Sequence, residues 1–593
     1  MHLLDLPSEI ILEIADHLPS QSDINEFSKT NHRLNALLTG YLYNYNTKHN
    51  NAFPLAYAVS YGQEDIAKKA LQYVAHVDAA VPDLCERGDP FHRPICIAAR
   101  YSDAGMVALL VAYKPDLGTV CCGNRSPLSC AAGRMWRWSP DDELAKLLIE
   151  NGADVNASDE HGGTALHIAA EVGSEAVIGL LLDSGADVNA KKTWGTTPLH
   201  VSAEYGQVKS AEILLDRGAD IDGERKWTPL AEALRLMRAD MARLLVDRSA
   251  SLENKNFLIC LAARGGMRWL VDRLLELGAS VDGEGEGDDR EQPPLCGATS
   301  YEHTDIVKQL LEAGANVNIG QGNDWTPLLI AARHGDLDTL SVILDYNPDL
   351  EALVAEYEDG PLVTALWVAV SGYHDECVRL LLDKGANPNC PDTEDGIYPL
   401  QFALQSSKWA MADKLLDHGT HAHLVMGGES PLFLAVRGGS ESTVRKLLER
   451  GANPNVYSDD FDEDRTYVKK HPISPLACAM KMEYYDMAEM LLDYGADPCV
   501  SYWENITTMS RAVRSMKCSF IKKMLDHGLD VDEIDNAGIT PLLYAVKKGG
   551  LEVVKLLLSH GADPNESPAL SWAVKKGYTQ IAEILSDYGA IQD

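Results

Sequence analysis

The stretch TPLLYAVKKGGLEVVKLLLSHGADPN at residues 540–565 constrains the fold more than any other, because the chain is largely copies of it. Thr540 can cap a helix through its hydroxyl, and Pro541 fits the first turn, where a missing N–H costs nothing. Leu542, Ala545 and Val546 then share one helical face. Gly549 and Gly550 permit a tight reversal. Val553, Val554, Leu556, Leu557 and Leu558 form a second, more apolar helix. Gly561 stands where a helix ends in a left-handed conformation that a residue with Cβ resists. Asp563 and Asn565 are turn formers. The unit therefore reads helix, short turn, helix, looped connection.

The unit recurs as TALHIAAEVGSEAVIGLLLDSGADVN at 164–189 and as TPLHVSAEYGQVKSAEILLDRGADID at 197–222. Weaker copies align on the paired small residues of the first helix. Their starts fall at Phe53, Arg93, Ser126, Thr164, Thr197, Thr228, Phe257, Pro293, Thr326, Thr364, Tyr398, Ser430, Ser474, Thr507, Thr540 and Pro568. The TPLH-type start and the period of about 33 residues resemble the ankyrin repeat. The resemblance implies an all-α ankyrin-repeat solenoid of about sixteen repeats over residues 46–593. A compact chain of 593 residues would divide into several domains, whereas in a solenoid each repeat packs only on its neighbours.

Composition narrows the function. Lys+Arg of 52 against Asp+Glu of 88 gives a net charge of −36. Sequence-independent nucleic-acid binding rests on Lys and Arg neutralising phosphates, so no nucleic-acid partner is expected. Docking on anionic membrane is disfavoured for the same reason, and no apolar run approaches a membrane span. Asp5, Glu9 and Glu13 stand where a signal or transit peptide would avoid acids. The twelve cysteines form no CxxC pair, and Cys121 and Cys122 are adjacent. Cys96, Cys130, Cys260, Cys296 and Cys478 fall on first helices, where a small buried thiol suits a core. Reduced thiols in the cytoplasm or nucleus are the expectation.

Residues 1–45 depart from the repeat. Asp5 and Pro7 give a helix start; Ile10, Ile14 and Leu18 recur every four residues, and Pro19 ends the helix. Ile24 and Phe27 mark a second short segment, and Leu34, Leu37 and Leu38 a third. The series LPSEIILEIADHL, DI and FSKTNHRL resembles an F-box. An F-box docks on the adaptor Skp1 and presents a protein substrate to a cullin–RING ubiquitin ligase. By motif position the resemblance implies that Leu6, Pro7, Ile10, Ile14, Leu18, Ile24 and Phe27 face Skp1. The third helix lacks a Trp often found there, and Phe27 replaces a usual Val. An N-terminal F-box joined directly to many ankyrin repeats is similar to a large class of filamentous-fungal proteins. The alternative is a helical cap over the first repeat's apolar flank, on a scaffold with no ubiquitin-ligase role.

No catalytic, metal or cofactor motif is present: GxSxG, P-loop, dinucleotide fingerprint and HExxH are all missing. His167 and His200 lie in TALH and TPLH, where a histidine hydrogen-bonds near the turn. His418, His421 and His423 cluster without an acid or cysteine at ligand spacing. The functional signal lies in large aromatics. In ankyrin repeats the residue just before the TP start faces the concave groove. Trp227 and Trp325 hold it here, and Trp194 sits on the same turn one repeat earlier. Tyr205 is expected close to Trp194 and Trp227. An insert in repeat three carries Trp136 and Trp138. Such side chains gain most when a partner buries them. Three connections, after Gly278, Asn347 and Gly451, are long and acid-rich. The chain thus reads as a non-enzymatic adaptor recruiting an unknown protein substrate.

Overall fold

The computed structural model describes residues 53–72, 76–78, 93–100, 103–118, 125–133, 142–223, 227–283, 292–320, 325–355, 362–391, 396–423, 429–459, 472–499 and 507–591. The described chain is predominantly helical and divides into two compact units, Met1–Glu286 and Gly287–Asp593. Within each unit, pairs of short antiparallel helices repeat, and each pair packs on the next.

Repeats four and five of the first unit show how the sequence makes the pair. Thr164 is extended (φ −102°, ψ 169°) and caps the helix Ala165–Val172. Its N–H donates to His167 Nδ1 at 3.2 Å, a capping box with histidine in the place usually held by Glu or Gln. Gly173 ends the helix in the left-handed region, at φ 84°. Ser174 then accepts the Val177 N–H and opens the second helix, Glu175–Asp183. Leu166, Ala169, Ala170, Val177, Ile178 and Leu181 are fully buried. Small residues on the first helix let neighbouring repeats approach, and the second helix supplies the larger apolar groups.

The unit at 540–565 in the second part of the chain follows the same logic. Thr540 Oγ accepts the Leu543 N–H at 3.2 Å, Pro541 opens the helix Pro541–Lys548, and Gly549 ends it at φ 72°. A Cβ on Gly549 would also lie 3.1 Å from the Tyr578 ring. Elsewhere the same turn is made without glycine: Met237, Glu302, Tyr373, Ser407, Glu483 and Met516 all have positive φ. Neighbouring packing imposes the turn there, at about 1–2 kcal/mol of local strain per residue.

The asparagine that closes each good copy joins successive repeats. Asn156 Nδ2 donates to the Gly185 carbonyl (3.1 Å) while its Oδ1 accepts the Asp187 N–H (2.8 Å). Asn189, Asn389, Asn455 and Asn565 repeat the arrangement. At Asn455 the bonds to Gly495 and Asp497 are 3.0 and 2.7 Å. Asn455→Ala is expected to cost about 1–2 kcal/mol, and Asn455→Asp, which keeps the acceptor, less. Chemical denaturation with amide exchange at Asp497 checks this, and equal losses in the two variants would count against the reading.

Three features depart from the expected pattern. The seventh repeat's first helix spans Lys255–Arg264, so it begins before Phe257; no proline fixes its start, and Asn254 takes the cap position. Two short antiparallel ladders, Val354–Ala355 with Leu362–Val363 and Ser458–Asp459 with Pro472–Ile473, pinch the bases of the inserts after Asn347 and Gly451. The expected all-α fold therefore carries a little β-structure where connections lengthen. Residues 1–45, and most of the three acid-rich insertions, lie outside the described residues. The described cysteines are free thiols, with Cys96, Cys260, Cys296, Cys377 and Cys478 buried. Among the described residues no helix is long and apolar enough to cross a membrane.

Candidate protein-binding surface

Of the aromatic positions singled out above, Trp194, Tyr205, Trp227 and Trp325 fall in the described residues. Trp136 and Trp138 lie outside them, as do Leu6, Pro7, Ile10, Ile14, Leu18, Ile24 and Phe27.

Trp194 sits at the tip of a rigid finger. Lys192 and Thr196 form an antiparallel bridge at its base. Thr193 donates both its N–H and its hydroxyl to the His161 carbonyl, at 2.6 and 2.7 Å. Between them Trp194 adopts φ 67° and is 83 % exposed. A bulky residue in this region is strained, and an indole so exposed leaves its apolar area in water.

Trp227 immediately precedes the cap Thr228. Its ring meets Phe257 edge-on, with centroids 5.0 Å apart and planes at 83°. Its carbonyl accepts the His200 Nε2–H at 3.1 Å. His200 Nδ1 accepts the Thr197 N–H (3.3 Å), which places the ring proton on Nε2. The histidine therefore ties one repeat's cap to the next repeat's entry. Its role is structural, as is that of His167, whose Nε2 reaches the Thr196 carbonyl at 3.0 Å.

Beside Trp227 opens a cleft of about 270 Å³ lined by Thr196, His200, Glu204, Trp227, Glu232 and Arg235. Arg235 Nε donates to Glu232 Oε2 at 3.2 Å and its Nη2 to Oε1, so that carboxylate is compensated. Glu204 stays half-buried on the opposite wall. Its field reaches Tyr205, whose phenol is pushed up by burial first and then by Glu171 and Glu204. The cleft thus joins an aromatic wall to a carboxylate and suits a side chain with an aliphatic stem and a cationic head. Tyr205 itself turns to Glu171 in the preceding repeat, and among the described residues no ring contact joins it to Trp194 or Trp227. Trp227 lines the cleft, and Trp194 stands on its own finger.

Trp325 also requires correction. It is 9 % exposed, its indole N–H donates to the Ala355 carbonyl at 3.1 Å, and Arg333 lies over its ring at 4.9 Å. The strand that follows the repeat's long connection supplies that carbonyl. Trp325 braces this connection instead of facing a partner, and Trp367 does the same with the Ile397 carbonyl at 3.2 Å. Among the histidines at 418–423, His418 bonds Asp383 and the Lys414 carbonyl, apart from the His421–His423 pair. No group of three potential metal ligands occurs among the described residues.

Glu204, Glu232 and Arg235 were not among the residues expected from the sequence. Each lies four or seven residues after its cap, Thr197 or Thr228, on the face of the first helix turned away from the core. Reading those two rows across successive repeats would have found them.

A family model described as ankyrin repeats (3 copies) matches residues 95–192, 136–225, 188–256, 258–353, 366–458 and 509–593. The chain is 27 % identical over 228 residues to human Rabankyrin-5, covering 33 % of this chain and 19 % of that protein. It is 34 % identical over 212 residues to the nuclear factor NF-kappa-B p105 subunit of Gallus gallus, covering 34 % and 21 %. It is 27 % identical over 184 residues to the E3 ubiquitin-protein ligase KEG of Arabidopsis thaliana, covering 30 % and 11 %. The chain spans about a fifth of the length of the first two relatives. With matches over more than half of its residues, and with the capped helix pair repeating in both units, the chain belongs to the ankyrin-repeat family.

Proposed function

We propose that the chain is a non-enzymatic protein-interaction adaptor. In this reading a partner segment places a lysine or arginine in the cleft beside Trp227, and the finger at Trp194 covers the segment. Residues 1–45 bind a Skp1-like adaptor and so bring the captured protein to a ubiquitin ligase. The observation that carries the capture step is the cleft lined by Trp227 and the half-buried Glu204, with the exposed Trp194 on the turn one repeat earlier. Large aromatics that a partner buries dominate binding energies in protein interfaces. The ligase step is supported by the F-box-like series LPSEIILEIADHL, DI and FSKTNHRL. That one relative is named an E3 ubiquitin-protein ligase is consistent with it.

The two steps separate by mutation. Skp1 is expected to co-purify with the wild-type chain, to be lost on Leu6→Ala/Pro7→Ala, and to be retained on Trp194→Ala/Trp227→Ala. The second variant is expected to lose the partners marked by proximity labelling. An affinity loss of tenfold or more for such a partner is in keeping with hot-spot tryptophans. Absence of Skp1 from the wild-type complex would leave a scaffold without a ligase role.

A further inference from the structure

The first helices of repeats thirteen to sixteen are Pro475–Lys481 (PLACAMK), Thr508–Arg514 (TMSRAVR), Pro541–Lys548 (PLLYAVKK) and Ala569–Lys576 (ALSWAVKK). They carry seven Lys and Arg residues and no Asp or Glu, in a chain whose net charge is −36. The charges are in register. Lys481, Arg514, Lys547 and Lys575 each lie seven residues after the residue preceding their helix, Ser474, Thr507, Thr540 and Pro568. Four residues after the same positions stand Cys478, Arg511, Tyr544 and Trp572. These are the two rows that carry Glu204, Glu232 and Arg235 in the first unit.

The cations are held by neighbouring rings. The Arg514 guanidinium lies 4.9 Å from the Tyr544 ring centroid, and its Nη2 donates to Tyr544 Oη at 3.2 Å. Lys547 Nζ lies 5.1 Å from the Trp572 centroid, with Lys575 and Lys576 each at 5.9 Å. Among the described residues, Arg514, Lys547, Lys548, Lys575 and Lys576 make no ion pair. Second helices behave differently. There Lys446 and Lys523, with Lys517 at the cap of Cys518–Asp526, pair with Asp417, Asp493 and Asp486 of the preceding repeat at 2.6–2.8 Å. Asp535 is buried and accepts from Tyr544 Oη (2.9 Å) and from the N–H groups of Ile539 (2.8 Å) and Ala537 (2.9 Å), and through Tyr544 its charge reaches Arg514 without pairing with it directly. Basic groups at the second helices thus sit in direct ion pairs, whereas Arg514, Lys547, Lys575 and Lys576 on the first helices lie against rings.

We propose that this ladder is a docking surface for an extended acidic segment of a partner protein, with carboxylates at every third residue. Close-packed helices lie about 8–10 Å apart. An extended chain rises about 3.3 Å per residue, so a step of three residues spans one repeat. Each carboxylate then meets one rung of the ladder, and at Arg514, Lys547 and Lys575 an aromatic ring already lies against the cation. A nucleic acid is the less favoured ligand, because the surplus of carboxylates elsewhere on the chain repels a long polyanion. This surface is independent of the cleft at Trp227 and of the ligase reading.

The test is fluorescence anisotropy on the full chain. The probe is a labelled peptide of Ser and Ala with Asp at every third residue. Controls are a peptide of the same composition with its Asp residues clustered and a single-stranded DNA of equal charge. The spaced peptide is expected to bind more tightly than both, in a salt-dependent manner. Arg514→Gln/Lys547→Gln/Lys575→Gln is expected to weaken it about tenfold, since several exposed ion pairs are lost together. The single Lys575→Glu, at an exposed site, is expected to act in the same direction if the triple variant folds poorly by circular dichroism. Equal binding of the clustered peptide, tighter binding of the DNA, or no change in the variants would overturn the proposal.

Discussion

Leu181→Ala is expected to destabilise its part of the first unit by about 2–5 kcal/mol, the range for deleting a fully buried leucine. Leu181 has no exposed surface and lies in a cluster with Val177, Ile178, Ala169 and Leu214, drawn from two successive repeats. The loss has two components: the apolar area returned to water on unfolding, and the cavity left between helices that cannot fully close. Because a repeat contacts only its neighbours, the effect should stay local. Amide exchange is expected to quicken in Glu175–Asp183 and Val208–Asp216, while Leu551–Ser559 in the second unit keeps its protection. Leu182→Ala, at a half-buried position one residue on, is expected to cost well under half as much. Uniform acceleration along the whole chain would show a cooperativity that nearest-neighbour packing does not provide.

The helix pair was legible because its signals are local. A capping Thr or Ser, a proline, two small residues and a glycine each act within a few residues, so a single repeat reveals them. Where such a signal was missing, the reading slipped. Without Pro at the start of the seventh repeat, the helix begins at Lys255 instead of near Phe257. Trp325 misled for another reason. Its position before the TP start matches that of Trp227, but its environment is set by residues 354–355, which follow a long connection. Which carbonyl would cover an indole is a tertiary fact with no trace in the spacing. The partner of Tyr205 is equally invisible in the spacing: it bonds Glu171 of the preceding repeat while its neighbour Glu204 lines the cleft.

Net charge averages over surfaces of different sign. A net value of −36 describes the chain as a whole, yet on each first helix the side chains that can meet a partner fall in a few rows, among them those four and seven residues after the start. In repeats four to six those rows carry Glu171, Glu204, Glu232 and Arg235 beside the buried Ile168 and Val201; in repeats thirteen to sixteen they carry only basic, aromatic and neutral side chains. A repeat protein can therefore hold surfaces of opposite sign on one scaffold, because the residues that make the fold and those that face a partner occupy different rows.

The second large effect expected is a fall in stability with acidification centred on His167. Its imidazole is held neutral in the fold: Nδ1 accepts the Thr164 N–H and Nε2–H donates to the Thr196 carbonyl. Burial lowers its pKa from 6.5 to about 4, a shift that the Thr196 carbonyl's preference for a protonated ring opposes and does not cancel. The unfolded chain therefore binds a proton that the native chain refuses between these two values, and stability rises with pH across that window. Seen from neutral pH, the native state is at full strength above 6.5 and loses about 2 kcal/mol by pH 5 and about 3 kcal/mol by pH 4, after which the loss levels off. Other groups titrate over the same range, so the measurement is a difference. His167→Gln keeps an acceptor for the Thr164 N–H, as capping boxes ordinarily do, but cannot take up the proton. Urea unfolding at pH 7.5, 6 and 5 should give a wild-type curve that falls toward the variant's as pH drops, the gap narrowing by about 2 kcal/mol. Parallel curves would mean that His167 is not the group whose neutrality this part of the array requires.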